Sequence, residues 1–270
     1  MPELPEVETV RRSLEPFLVG QTVTQVEVRE PRLRRTLPAG FARTLTGRSI
    51  HAIARRGKYL HFQLDDQRIW LVHLGMTGQL IVESREMLPL PHDHVRVVLS
   101  SGHHLRYNDP RRFGLMVIGT VEEIDTVTML GCEPLSRDFT TRYLFDKVSG
   151  TKRTIKDVVM DQRVVAGVGN IYASELLFRA GVRPDSIAAK LDQEAVTRVV
   201  KATKTVLREA IRHRGSSISD YRDGEGKEGG FQQRFRVYDR DGEPCLSCRT
   251  AICRETRGGR SSFFCPMCQR

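Results

Sequence analysis

Cys245-Leu246-Ser247-Cys248 and, with 16 residues between, Cys265-Pro266-Met267-Cys268 make two CxxC pairs at the end of the chain. Each pair turns two sulfurs toward one centre, and two such knuckles supply the closed tetrahedron that Zn²⁺ takes in structural sites. One structural zinc ion held by Cys245, Cys248, Cys265 and Cys268 is the expectation, with no coordination position left for a substrate. Two disulfides or chance clustering are the competing explanations. The run between the pairs argues against both, because it carries Arg249, Arg254, Arg257 and Arg260 around Gly258-Gly259 and has too little apolar content to fold without a staple. Four arginines on a hairpin-sized insert point toward a polyanion.

The composition of the rest agrees. Lys and Arg number 43 against 33 Asp and Glu, a formal charge of +10, and the surplus is rich in arginine, which suits bidentate contacts to phosphates and bases. At 270 residues and 39% hydrophobic content the chain can bury a sizeable core, and two domains are a better expectation than one. Of six cysteines, four belong to the metal cluster; Cys132 and Cys253 are left as free thiols, a pattern of reducing compartments rather than of a disulfide framework. Neither a secretory signal nor an apolar run of membrane-spanning length is present in the sequence. A soluble, intracellular, nucleic-acid-binding protein is expected, a ribonucleoprotein component included.

At the other end, Met1-Pro2-Glu3-Leu4-Pro5-Glu6 leads into a helix with Val7, Val10, Leu14 and Phe17 on one face, Pro5 in its first turn and Gly20 at its end. Glutamates at the positive end of a helix are explained by capping alone. Position adds a second reading. Initiator methionine is expected to be removed before a small residue such as Pro2, which would leave a secondary amine as the first atom of the chain. An α-amine has a pKa of roughly 8, so an appreciable fraction is an unprotonated nucleophile near neutrality, and Glu3 or Glu6 could handle protons beside it.

From Thr22 to Ile118 short alternating runs, Val26 to Val28, Tyr59 to Leu64, Ile69 to Leu74, Val95 to Leu99 and Leu115 to Ile118, read as a sandwich or barrel. Basic loops interrupt them: Arg32, Arg34 and Arg35; Arg55-Arg56-Gly57-Lys58; and Asn108-Asp109-Pro110-Arg111-Arg112-Phe113-Gly114. Each alone is an ordinary solvated loop, but Arg beside Phe on a tight turn is what a wedge into stacked bases would use. Met76, between Gly75 and Gly78, is either a second wedge or a core filler. His92-Asp93-His94 lacks a further ligand at sensible spacing for a metal, and His92 or His73 against a phosphate is the better reading.

After Cys132 the composition turns helical. Lys152 to Met160 and Leu191 to Ile211 repeat apolar residues at helical spacing, the latter through Leu191, Ala195, Val199, Thr203, Val206 and Ala210, with a linker near residues 120–140. Between them, Gly167-Val168-Gly169 permits a tight reversal and Asn170 can cap the next helix, so either a plain interhelical turn or a phosphate-facing helix–turn–helix results. Ser216 to Gln232 is glycine-rich and charged, which predicts a mobile lid or a disordered loop. A strand from Arg234 to Tyr238 should then enter the ribbon. Amine, carboxylates, Lys58, wedge and phosphate contacts, taken together with the family resemblance carried by the chain's ordered motifs and not on composition alone, suggest attack on C1′ of a nucleotide extruded from a duplex, through an iminium that acidifies C2′ and eliminates the 3′ phosphate.

The motifs PELPEVET (Pro2 to Thr9), RRGKYL (Arg55 to Leu60), HLGMTG (His73 to Gly78), HDH (His92 to His94), NDPRRFG (Asn108 to Gly114), AGVGNIYASE (Ala166 to Glu175), GEPC.SC and FFCPMC occur in this order. Over essentially its whole length the chain resembles the bacterial formamidopyrimidine-DNA glycosylase family, also called MutM or 8-oxoguanine DNA glycosylase and related to endonuclease VIII. That resemblance implies an α+β multidomain fold: an N-terminal helix plus antiparallel β-sandwich over 1–130, a helix-two-turn-helix domain over 131–235, and a β-hairpin zinc ribbon over 236–270. It implies catalytic roles for Pro2 as Schiff-base nucleophile, Glu3 as general acid/base, Lys58 at the phosphate and lesion, and Arg260 on a phosphate, with Glu6 organising the pocket. Met76, Arg111 and Phe113 would be the intercalating trio, Asn170 and His92 phosphate contacts, and Lys152 or Lys156 a contact near the lesion. The segment Ser217 to Gly230 would be the lesion-capping loop.

The implied activity is excision of oxidised purines from duplex DNA followed by β,δ-elimination, by a monomer in the bacterial cytoplasm and nucleoid, with no membrane partner. Endonuclease VIII relatives begin PEGPE; PELPE with both Arg111 and Phe113 favours purine lesions. Asp239, where the family often has glycine, is a departure that could alter the local turn. The alternative of another class is a non-catalytic zinc-ribbon DNA-binding protein.

Overall fold

The computed structural model describes every residue except 85–87, 125–128 and 219. The chain forms two compact units, Met1–Met129 with His213–Gly230, and Leu130–Arg212 with Phe231–Arg270. Part of the expected linker, 125–128, lies outside the described residues.

The first unit opens with α1 (Leu4–Leu18), in which Val7, Val10 and Leu14 of the expected face are fully buried together with Leu18, while Phe17 is only partly buried against the same core. Gly20 at φ +81° turns the chain out of it. Then follow β1 (Val23–Val28), α2 (Phe41–Leu45), β2 (Ile50–Arg56), β3 (Tyr59–Leu64), β4 (Ile69–His73), β5 (Gln79–Glu83), β6 (Asp93–Leu99), β7 (His104–Asn108) and β8 (Leu115–Gly119). They build two four-stranded antiparallel sheets, ordered β1-β6-β7-β5 and β2-β3-β4-β8. The helix-plus-sandwich expectation holds. Alternate residues Leu60, Phe62, Trp70, Val72, Val95, Val97, Leu105 and Tyr107 join the α1 face in one core.

The five apolar runs are strands; β2 and β5 lack a clean alternation, and β7, which alternates through Leu105 and Tyr107, is a further strand beyond those expected. In β7 the polar side of that alternation is also buried at Arg106, which lies between the carboxylates of Asp93 (3.3 Å) and Glu83 (2.9 Å).

The second unit contains α3 (Thr141–Val148), α4 (Ile155–Met160), α5 (Asn170–Ala180), α6 (Gln193–Arg212) and the hairpin β9 (Cys253–Arg257) and β10 (Arg260–Phe264). Helix α4 is shorter than the periodicity suggests, since the Thr154 hydroxyl caps it by accepting the Asp157 N–H and Lys152 falls before its start. Likewise α6 begins after Leu191, and its buried stripe runs Ala195, Val199, Thr203, Val206 and Ala210. The ribbon turn Gly258-Gly259 has φ of +55° and +74°, the pair of positive values that a two-residue hairpin closing on Arg257↔Arg260 requires.

The strand expected from Arg234 to Tyr238 is absent. Residues Phe231–Arg234 form a 3₁₀ turn, and the N–H groups of Arg236, Val237 and Tyr238 all donate to the Glu175 carboxylate at 2.9–3.0 Å. A side chain of α5 satisfies the backbone donors that a ladder would otherwise have needed.

Candidate active site and DNA-facing loops

The N-terminal arm is buried. Pro2, Glu3 and Glu6 are all enclosed, while Met1 is half exposed. In capping-box fashion Glu6 Oε2 accepts the Glu3 N–H at 2.9 Å, and Glu6 Oε1 accepts the Ser216 N–H at 2.7 Å. One carboxylate thus fixes the residue following Pro2 and ties it to the 213–230 segment. The Pro2 nitrogen is an amide while Met1 is attached, and removal of Met1 frees it as an amine.

Lys58 sits in the two-residue turn between β2 and β3, after Gly57 at φ +56°, and its side chain is buried. His73, at the end of β4, is buried with Nδ1 accepting the Gly75 N–H at 2.9 Å, which leaves its proton on Nε2. Burial first, then the charges of Lys58 and Arg34, push its pKa down to about 4. His73 is therefore a neutral N–H donor and not a cation for phosphate.

The glycine-rich segment is anchored, contrary to the expectation of a mobile or disordered loop; its residue 219 lies outside the described residues. Tyr221 enters the core of the first unit and its hydroxyl donates to the Glu6 carbonyl at 3.3 Å. The Gly224 N–H donates to Ser13 Oγ of α1 and its carbonyl accepts the Val82 N–H, both at 2.8 Å. Asp223 is fully buried, pairs with Arg214 and accepts the N–H groups of Glu225 and Lys227. The anchoring is not legible in the sequence because a single aromatic and one aspartate provide it within a polar, glycine-rich stretch.

Two loops of the sandwich carry the exposed apolar and cationic trio. Met76 is 40% and Phe113 46% exposed, and the Arg111 guanidinium lies 4.7 Å from the Phe113 ring centroid. Beneath them Asp109 is fully buried: Oδ1 accepts from the Thr77 hydroxyl (2.6 Å), and Oδ2 from the Tyr107 hydroxyl (2.9 Å) and the Gly114 N–H (2.8 Å). His92 is exposed at φ +68°, on a loop held where the Asp93 carboxylate accepts the Leu90 N–H and the Asn108 amide donates to the Pro91 carbonyl. His94 is turned inward, donating from Nε2 to the Asp109 carbonyl at 2.7 Å.

In the second unit Asn170 opens α5 after Gly169, and its Oδ1 is buried with no hydrogen-bond partner. Lys152 is exposed. Lys156 is buried, with Nζ donating to the Ser261 carbonyl (2.7 Å) and to Ser262 Oγ (2.8 Å) on β10, beside Arg260. The four cysteine sulfurs lie within 4.8 Å of one another, Cys245–Cys268 at 3.9 Å and Cys248–Cys265 at 3.4 Å. A zinc tetrahedron with Zn–S of about 2.3 Å has an edge of about 3.8 Å, so the thiolate set fits one Zn²⁺. Phe263 and Ile252 pack with Cys245 and Cys265, with Phe178 of α5 and Cys268 against them, and Gln269 bridges Cys265 to the Val182 carbonyl.

A helix-capped β-sandwich with a buried N-terminal arm, a helical unit and a four-cysteine zinc ribbon define a modular DNA-binding zinc protein. Family models agree on its parts: the N-terminal domain of formamidopyrimidine-DNA glycosylase matches residues 1–116, its H2TH domain 130–222, and the zinc finger found in FPG and IleRS 242–270. The formamidopyrimidine-DNA glycosylases of Azorhizobium caulinodans and Syntrophotalea carbinolica are 44% and 43% identical to it, with both chains covered in full. Among solved structures, the MutM (FPG) protein of Thermus thermophilus superposes with a TM-score of 0.89 at 43% identity over 99% of this chain and 98% of that one. A Lactococcus lactis FPG mutant in complex with Fapy-dG containing DNA gives 0.92 at 33% identity, both chains covered completely. The chain belongs to the bacterial formamidopyrimidine-DNA glycosylase family. Among the described residues no helix is long and apolar enough to cross a membrane.

Proposed function

We propose that the protein is a bifunctional DNA glycosylase and abasic-site lyase that removes oxidised purines, 8-oxoguanine and formamidopyrimidines, from duplex DNA. The observation that carries the reading is the buried arm at the head of α1, where Pro2 adjoins Glu3 and the Glu6 carboxylate holds the intervening backbone. Once Met1 is removed, the Pro2 nitrogen attacks C1′ of an extruded nucleotide and the glycosidic bond breaks, the pair of electrons leaving with the base. Glu3 protonates the ring oxygen, the sugar opens, and an iminium forms. The amine gives up its one N–H proton to Glu3 on attack, the proton that Glu3 then delivers to the ring oxygen, so the iminium nitrogen has none left to lose and keeps its positive charge at any working pH. That charge acidifies C2′; loss of its proton expels the 3′ phosphate, and a second elimination expels the 5′ phosphate.

Around this chemistry Lys58 supplies a fixed cation, and His73 a neutral donor. Met76, Arg111 and Phe113 fill the space left by the extruded nucleotide, with Arg111 facing the orphaned base. Asn170, His92 and Arg260 contact phosphates. Lys152, exposed ahead of α4, is assigned to the DNA, whereas the bonds of Lys156 to β10 suit it to holding the hairpin that bears Arg260. Zinc on Cys245, Cys248, Cys265 and Cys268 contributes folding energy to that hairpin and no reaction step. We take 1–130, 131–235 and 236–270 as the functional segments of a monomer acting in the bacterial cytoplasm and nucleoid.

Borohydride trapping with an 8-oxoguanine duplex tests the proposal. A covalent complex mapping to Pro2 is expected, and the absence of an adduct with zinc-loaded, Met1-processed protein would sink it.

A further inference from the structure

We propose that Asp109 is a positioning residue for base extrusion: its buried carboxylate latches the Met76 loop to the Arg111–Phe113 loop, so that the two enter DNA as a single rigid wedge. The inference rests on the wedge role given above to Met76, Arg111 and Phe113.

The two loops come from distant parts of the sandwich, 74–78 between β4 and β5 and 109–114 between β7 and β8. Neither has regular structure, and each carries side chains that are exposed and apolar or cationic. An isolated wedge of this kind would fold back onto the protein rather than into DNA, because an exposed Met or Phe gains by covering itself. What prevents that is a set of bonds converging on one residue. Asp109 Oδ1 accepts from Thr77, the neighbour of Met76, while Oδ2 accepts from the Gly114 N–H, the neighbour of Phe113, and from Tyr107 in β7. The Thr77 oxygen in turn accepts the Arg111 N–H at 3.3 Å, so the hydroxyl relays the carboxylate to the third member of the trio.

The backbones fit around this latch with no room to spare. A Cβ on Gly75 would stand 2.4 Å from the Phe113 carbonyl carbon, and one on Gly114 1.7 Å from the Tyr107 hydroxyl. Gly75 is therefore explained by the approach of the Phe113–Gly114 backbone of the other loop, and Gly114 by the Tyr107 hydroxyl that shares the latch. Asp109 is fully buried and has no exposed edge with which to touch DNA, so its effect on the reaction must pass through the loops.

Asp109→Asn keeps the shape but replaces one acceptor oxygen with an N–H₂ that faces donors. Two substrates separate positioning from general damage to the fold. An 8-oxoguanine duplex requires the wedge; a single-stranded oligonucleotide with a preformed abasic site offers C1′ with nothing to unstack. The expected result is a single-turnover excision rate on the duplex about tenfold to a hundredfold lower, the scale on which misplacement of catalytic parts acts, with borohydride trapping on the single strand within about twofold of wild type. Thr77→Val, which removes the relay but leaves the Tyr107 and Gly114 bonds, should show the same pattern more weakly. Phe113→Ala is the control for the underlying reading. If Phe113→Ala slows duplex excision and Asp109→Asn does not, or if Asp109→Asn lowers both substrates equally, the latch is wrong and the wedge stands. If Phe113→Ala leaves duplex excision unchanged, the wedge reading falls and the latch with it.

Discussion

Removing the Glu175 carboxylate should unfasten the approach to the zinc ribbon. Glu175 is fully buried on α5, and its two oxygens accept from the N–H groups of Arg236, Val237 and Tyr238 at 2.9–3.0 Å. Burial pushes its carboxyl above the ordinary range, while those three donors and Arg179 pull the other way. Glu175→Ala leaves three consecutive amides without an acceptor, each costing about 1–3 kcal/mol if it stays dry. Water entering the vacated space would recover part of this, so a net loss of about 3–5 kcal/mol is expected, near that of breaking a buried charged network. For a chain of this size about 2–4 °C of melting temperature corresponds to each kcal/mol, so the unfolding transition should fall by roughly 6–20 °C. Glu175→Gln, which keeps one acceptor oxygen but turns an N–H₂ toward a donor, should lie between. Differential scanning calorimetry gives the size, and hydrogen exchange locates it: amides 236–238 and the ribbon should lose protection together while the β-sandwich keeps its own. A Glu175→Ala protein destabilised by less than about 1 kcal/mol would refute the reasoning, because the amides would then have another partner.

Zinc removal by a chelator should abolish duplex binding before it abolishes Schiff-base chemistry; titration of fluorescent duplex against the apo-protein would show this, and full affinity in a folded zinc-free protein contradicts it. His73, with its pKa near 4 against 6.5 for an ordinary histidine, binds a proton more readily in the unfolded chain. Its contribution is thus complete above pH 6.5 and is lost as pH falls toward 4, up to about 3 kcal/mol; an NMR titration midpoint near 6.5 would contradict the burial argument. Tyr221→Ala, which deletes the aromatic anchor of the 213–230 segment, should cost about 3 kcal/mol and raise exchange at Gly224 and Lys227. Unchanged protection there would mean that Arg214 and Asp223 hold the segment alone.

The sequence by itself determined the zinc site, most of the α1 face, five of the eight sandwich strands and the chemical types at the two ends of the chain. These are local signals. A CxxC pair fixes two ligands within four residues, and a helical stripe or an alternating strand is set by the repeat of the backbone. Even the strongest sequence feature, the four cysteines, stands apart from the reaction assigned to Pro2.

Only the tertiary structure decided how distant stretches were paired. Glu175 reads as an ordinary helix residue until the backbone at 236–238, about sixty residues on, brings its N–H groups to it and suppresses the expected strand. Asp109 reads as a turn aspartate until Thr77 and Gly114 converge on it. Ser216 to Gln232 reads as mobile until Tyr221 finds the core and Glu6 accepts the Ser216 N–H. Lys152 and Lys156 are indistinguishable by type, and only burial against β10 separates them. In each case a buried polar group is satisfied by a partner that no spacing rule specifies, because hydrogen bonds between far-separated residues depend on where the chain returns, and that is settled by packing of the whole core.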